Sequence, residues 1–327
     1  MKEALFYRKL KNKQVKCLLC PKGCEIYPNS TGFCRVRKNI EGTLYSVVYG
    51  RPCTLTIDPI EKKPLYHFFP GTTCLSVSTV GCNFACTFCQ NFEISQGRIF
   101  GEFVTPEVIV KLAKKYNVKS IAYTYTEPTI FFEYAYDTMK LAKREGLYNV
   151  WISNGYINKL PIKKISKYLD AVNIDIKGDE QVYKELCYGT LNPVLESLKE
   201  FKSYNNIWIE ITNLVIPTYN DNVNWIKKLV NWIYENLGEN TPLHLSRFHP
   251  VYKLNYLEPT SIAKLKKFYT IARKKLNYVY LGNIFEGKYE STYCKKCNKP
   301  VIDRQGYSVS FISNICKICN TKIEGVF

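Results

Sequence analysis

Strand-like and helix-like segments alternate from residue 74 to residue 281, and this order limits the fold more than any other feature of the chain. Apolar runs at 74–80, 120–126, 149–153, 171–176, 207–215 and 243–247 read as strands, with 278–281 as a further candidate. Between them lie helical repeats. Thr105-Pro106-Glu107 is a helix start, with threonine as N-cap and proline in the first turn, and Val108, Ile109, Leu112 and Tyr116 keep helical spacing. A second helix over 129–145 places Ile130, Phe131, Tyr134, Thr138 and Leu141 on one face and stops at Gly146. Helices are expected at 161–169, 180–186, 193–204, 222–236 and 259–276 as well. Strands that alternate with helices form a parallel sheet. Six of them fit an α/β fold of partial (β/α)6 barrel type, whose chemistry gathers at the C-terminal ends of the strands.

The cysteines divide the chain further. Eleven of the fourteen fall into three tight groups, while Cys53, Cys74 and Cys187 stand alone and read as small apolar core residues. Cys74 opens the first strand and is also a candidate ligand. The N-terminus has no apolar signal-like stretch, and no apolar run is long enough to span a membrane. A cytoplasmic protein is therefore expected, and there grouped cysteines argue for metal rather than disulfides. Three modules follow: a cysteine-rich module and lead-in over 1–73, the α/β domain over 74–283, and a terminal module over 284–327.

The first strand runs into Cys82, Cys86 and Cys89, spaced C-x3-C-x2-C. Three thiolates this close can hold three corners of a four-iron, four-sulfur cube, and the fourth iron is left open for another ligand. The alternative is a zinc site with one remote ligand. Cys294, Cys297, Cys316 and Cys319 form two C-x2-C knuckles around a hairpin expected at 301–310, with Gly306 at its turn. Asn298 and Asn320 follow the knuckles where a left-handed backbone is wanted. This is a closed zinc-ribbon or rubredoxin-like site, for zinc or iron. Cys17, Cys20, Cys24 and Cys34 are a less diagnostic quartet for zinc or an auxiliary iron–sulfur cluster.

The formal net charge is +18, which invites a nucleic-acid reading. The lysines are spread along the chain and sit in expected helices, so solvated faces and an acidic redox donor suit them better.

The three-cysteine stretch, with Phe88 before its last cysteine, resembles the signature of radical SAM enzymes. The resemblance implies that Cys82, Cys86 and Cys89 bind a [4Fe-4S] cluster whose open iron takes S-adenosylmethionine (SAM). It implies reductive cleavage of SAM to a 5′-deoxyadenosyl radical, which abstracts hydrogen from a substrate. Other strand ends resemble pyruvate formate-lyase-activating enzymes. Glu127 stands where the family places a carboxylate for the SAM ammonium. Ser153-Asn154-Gly155 is similar to their Thr-Asn-Gly, with Ile152 replacing the aspartate that precedes it. Asp175 and Lys177 match an Asp-x-Lys pair on one strand face, and His249 matches a histidine near SAM. The stretches 58–68, 89–95 and 125–131 look like the radical SAM proteins of the AmmeMemoRadiSam system. That resemblance implies Amme-type and Memo-type companion proteins, while the basic surface suits an acidic, low-potential ferredoxin or flavodoxin donor. The substrate, a protein or a metabolite, stays open. A glycyl-radical-enzyme activase is the narrower alternative, and a non-catalytic zinc or nucleic-acid-binding protein is the alternative from another class.

Overall fold

The computed structural model describes residues 1–327, apart from the side chain of Phe311. Its largest element is an eight-stranded sheet: β1 (Thr54–Pro59), β2 (Thr73–Ser78), β3 (Ser120–Tyr123), β4 (Tyr148–Ser153), β5 (Ala171–Asp175), β6 (Trp208–Val215), β7 (Leu243–Arg247) and β8 (Val279–Gly282). Each strand pairs with its neighbours in sequence, so the sheet is wound in one direction and β1 and β8 are its two edges. Strands β2 to β8 are parallel, and β1 is antiparallel to β2.

All six expected strands form, the further candidate at 278–281 forms as β8, and an antiparallel edge strand, β1, is added. The additions have simple causes. Residues 54–59 end in Pro59, which cannot donate to a ladder and suits an edge. The short run Val279–Gly282 forms because β7 offers an unpaired side.

Helices cover one face: α1 (Pro106–Lys115), α2 (Phe132–Arg144), α3 (Lys159–Ile165), α4 (Asn192–Lys202), α5 (Val223–Asn236) and α6 (Ile262–Ala272). Thr105 caps α1 as its sequence predicts, its hydroxyl oxygen accepting from the Val108 N–H at 3.5 Å. The 180–186 helix is cut to one turn, Glu180–Val182, followed by a π-helical turn, Tyr183–Cys187, that ends at left-handed Tyr188. Such turns break the carbonyl ladder and free groups for other partners.

The lead-in is a plug on the opposite face. Ile60, Leu65, Phe68 and Phe69 pack against Cys74, Ala122, Val150 and Ala171 of four adjacent strands. The chain's end returns to this plug, where the Phe69 N–H donates to the Val326 carbonyl and the Val326 N–H to that of His67, each at 2.7 Å. The N-terminal module has two small three-stranded sheets and docks on α2 through a buried ion pair. Arg37 Nη1 donates to both Glu133 carboxylate oxygens, at 3.0 and 3.1 Å. The terminal module is a third small sheet of Thr292–Tyr293, Pro300–Gln305 and Ser308–Ile312, with Gly306 left-handed at the turn.

Candidate active site

β2 ends at Ser78, and the three-cysteine loop leaves from there, at the C-terminal edge of the parallel strands. Gly81 makes the exit possible. Its φ is +108°, and a Cβ there would lie 2.7 Å from Val36 Cγ1 and 2.9 Å from the Cys34 carbonyl. Backbone bonds then pin the loop on several sides. Ala85 N–H donates to the Cys187 carbonyl at 3.3 Å and Thr87 N–H to that of Leu186 at 2.9 Å, so the π-turn is what the loop rests on. Asn91 Nδ2 donates to the Tyr125 carbonyl at 2.7 Å, which ties the loop to the end of β3.

Each sulfur has its own donors. Phe84 N–H points at Cys82 Sγ at 3.4 Å, and Asn154 Nδ2 approaches the same sulfur at 3.8 Å. Cys89 Sγ lies 3.2 Å from Ser95 Oγ. A hydrogen bond from the buried Cys187 thiol holds Cys86 below the ordinary thiol range despite its burial, and the nearby Lys177 ammonium adds to this. Burial pushes Cys82 well above that range, and the Glu127 carboxylate adds to the rise. The cysteines are free of disulfides among the described residues. Two half-buried sulfurs and one buried one, with N–H, O–H and S–H donors, suit anionic thiolates bound to iron.

Two brackets of sequence-predicted residues flank the loop. The first is Glu127, Ser153 and Asn154. Glu127 Oε1 accepts from Thr129 N–H at 3.0 Å, Thr129 Oγ1 at 2.5 Å and Ser153 Oγ at 2.8 Å, and Oε2 accepts from Asn154 N–H at 2.8 Å. Asn154 passes this order on, since its Nδ2 donates to Asn83 Oδ1 at 2.8 Å, next to Cys82. Glu127 is buried and engaged on both oxygens, so in this structure its carboxylate caps a helix start and fixes the end of β4. The second bracket is Asp175 and Lys177, whose alternation places them together as expected, Nζ to Oδ2 at 2.9 Å. Burial pulls Lys177 down, but Asp175, Cys86 and Cys187 outweigh it and hold the ammonium well above its ordinary range. Lys177 also lies 5.7 Å from the centre of the Phe88 ring.

His249 is not brought in. It lies exposed past the end of β7, while the histidine that faces inward from that strand is His244, 2.7 Å from the buried Glu210. Sequence reasoning missed Cys187 and Asn83. The first is one of three isolated cysteines and the second sits inside the motif, so only the folded loop reveals them.

The radical SAM superfamily model matches residues 76–233, which contain the loop and both brackets. The chain belongs to the radical SAM superfamily. Its members are enzymes, which sets aside the reading as a non-catalytic zinc or nucleic-acid-binding protein. The superfamily implies SAM and a [4Fe-4S] cluster as cofactors. This radical SAM chain is 46% identical over 333 residues to the uncharacterised protein MJ0808 of Methanocaldococcus jannaschii, covering 99% of both. It is 26% identical over 163 residues, 49% of this chain and 62% of the other, to a protein of that organism described as a putative glycyl-radical enzyme activating enzyme. Streptococcus suis SuiB bound to S-adenosylmethionine shares its fold with a TM-score of 0.53 at 16% identity, over 72% of this chain and 56% of that one.

The terminal quartet closes tightly. The sulfurs of Cys294, Cys297, Cys316 and Cys319 all lie within 4.8 Å of one another. Asn298 and Asn320 take φ of 55° and 56°, as the missing glycines require. No helix among the described residues is long and apolar enough to cross a membrane.

Proposed function

We propose that Cys82, Cys86 and Cys89 hold the [4Fe-4S] cluster and that the two brackets seat SAM against its open iron. The observation that carries this is the convergence of the loop with Asp175–Lys177 on one side and Glu127–Ser153–Asn154 on the other, at one edge of the sheet. When bound, cluster and SAM together supply a 5′-deoxyadenosyl radical that abstracts hydrogen from a protein or metabolite substrate.

The chain's own residues have separable tasks. Asp175 is the more exposed of its pair, at 41% of the side chain against 13% for Lys177, and is free to accept from SAM hydroxyl or ammonium groups. Lys177 offers a fixed positive charge to the SAM carboxylate and to the Cys86 thiolate. Glu127 holds Ser153 and Asn154 in place, and Asn154 steadies the loop at Cys82. We assign Glu127 to positioning first, because both of its oxygens are already taken. His249, exposed past the end of β7, is given no part in this site. The terminal quartet is proposed as a structural zinc site; four thiolates within 4.8 Å suit a single tetrahedral ion.

The likeness to a putative glycyl-radical activating enzyme supports a narrower reading, in which the hydrogen comes from a polypeptide. The sequence resemblance to the AmmeMemoRadiSam system supports Amme-type and Memo-type companions, with a low-potential ferredoxin or flavodoxin as donor. Anaerobically reconstituted protein given dithionite and SAM should release 5′-deoxyadenosine, and Cys82→Ala should abolish this while the terminal metal stays bound. Product formation no greater than in the variant would contradict the proposal.

A further inference from the structure

The N-terminal quartet takes no part in the site above, yet it is built as one. The Cys17 N–H donates to the Cys24 carbonyl at 2.9 Å, and the Gly23 N–H to that of Cys20 at 3.1 Å, so the chain curls to bring three cysteines together. Phe33 N–H points at Cys24 Sγ at 3.5 Å and leads in the fourth. Cys17, Cys20, Cys24 and Cys34 wall a single cavity with Lys22 and Arg37.

The spread of the sulfurs decides what fits. A tetrahedral ion with metal–sulfur bonds of about 2.3 Å keeps its sulfurs about 3.8 Å apart. The terminal quartet meets that condition, and among the described residues it is the one group of three or more such ligands that does. The N-terminal thiols ring a space instead of closing on a point. Cys82, Cys86 and Cys89, for which the superfamily implies a four-iron cluster, likewise do not all lie within 4.8 Å of one another. In a cube each thiolate binds a different iron, so wider spacing is required.

Arg37 is the second observation. It is 2% exposed and lines this cavity. Its Nη atoms are engaged by Glu133 and the Leu5 carbonyl, but its buried Nε has no partner. A buried donor without an acceptor calls for a group that supplies one. A thiolate-bound, net anionic cluster is such an acceptor.

The quartet adjoins the catalytic loop. Asn83, next to Cys82, lines the same cavity as the quartet. Arg35 donates to the carbonyls of Ser95 and Gln96, at 3.1 and 2.7 Å, and Ser95 Oγ touches Cys89 Sγ. We propose that Cys17, Cys20, Cys24 and Cys34 hold a second, closed iron–sulfur cube beside the catalytic loop. Four protein ligands leave it no open iron, so its chemistry is one-electron transfer rather than substrate binding. The proposal rests on the radical SAM reading only for its neighbour's identity.

Acid-labile sulfide per chain is the test, because a zinc or rubredoxin-type site contains none. Full-length protein reconstituted with iron and sulfide should carry roughly eight sulfides, four per cube. Cys20→Ser/Cys24→Ser should lose half of the sulfide and keep its zinc, and Cys82→Ala/Cys86→Ala should lose the other half. About four sulfides in the parent protein, unchanged by Cys20→Ser/Cys24→Ser, would overturn the second cube. A loss of that variant's zinc would do the same. Failure of the catalytic assignment reads differently, as sulfide retained in Cys82→Ala/Cys86→Ala. Should the first variant not fold, Mössbauer spectra of the parent protein decide: cubane iron should total roughly eight atoms per chain, and roughly four would contradict the proposal.

Discussion

At the scale of single residues, Cys187 is the least conspicuous member of the site and one of its more consequential. The sequence offers it as an isolated core cysteine, and it is indeed buried. What the sequence could not show is that the π-turn brings Cys187 against the loop, its carbonyl accepting from the Ala85 N–H and its thiol lowering Cys86. A hydrogen bond to a thiolate ligand removes electron density and raises a cluster's potential. Cys187→Ala should keep the cluster and lower its potential by roughly 40 mV, for one bond worth about 1 kcal/mol. An unchanged midpoint in an EPR-monitored titration would count against this role. Glu127 makes the complementary prediction. Glu127→Ala strands the Ser153 hydroxyl and the Asn154 N–H in a buried place, so unfolding should cost roughly 2–4 kcal/mol less by denaturant titration. The family resemblance offers Glu127 as a ligand for the SAM ammonium; its four hydrogen bonds show a carboxylate already committed to a helix start and to the end of β4.

At the scale of elements, the legible part was the part set by periodicity. Strand and helix repeats located the parallel sheet, the loop's place after its first strand, and the Asp175–Lys177 pair on one face. The illegible part rests on pairing between distant segments. Thr54–Pro59 reads as lead-in until β2 offers it an edge, and the plug over 60–69 has no periodic signature. Gly81 is the hinge between these levels, because it lets the loop lie on the Cys34 backbone. Gly81→Ala forces a side chain into a left-handed, crowded position. It should lower the melting temperature and loosen the N-terminal module, seen as faster amide exchange around residues 34–36. Exchange equal to that of the parent chain would show that the contact is incidental.

At the scale of the whole molecule, the modules are joined by a buried hydrogen-bond relay. His67 Nδ1 lies 2.6 Å from the Glu324 carbonyl, which can only accept, so Nδ1 carries the proton. His67 Nε2 must then accept from Tyr280 O–H at 2.6 Å, Tyr280 from Thr292 Oγ1 at 2.8 Å, and Thr292 from Arg304 Nη1 at 2.8 Å. The relay needs a neutral imidazole, and burial lowers His67 to about 4. Between the unfolded value near 6.5 and about 4, the unfolded chain binds a proton that the folded one does not. Stability is therefore present above pH 6.5 and is lost as pH falls towards 4, at up to about 1.4 kcal/mol per pH unit. Urea midpoints should drop over that range, and His67→Gln should flatten the drop; an equal drop in both proteins would refute the assignment.

The central claim is that three thiolates leave one iron open and that SAM closes it. Electron–nuclear double resonance on the reduced protein with 15N-labelled SAM tests this directly. We predict hyperfine coupling between the methionine nitrogen and the cluster, lost in Cys82→Ala. A spectrum unchanged by SAM, with no nitrogen coupling, would contradict it.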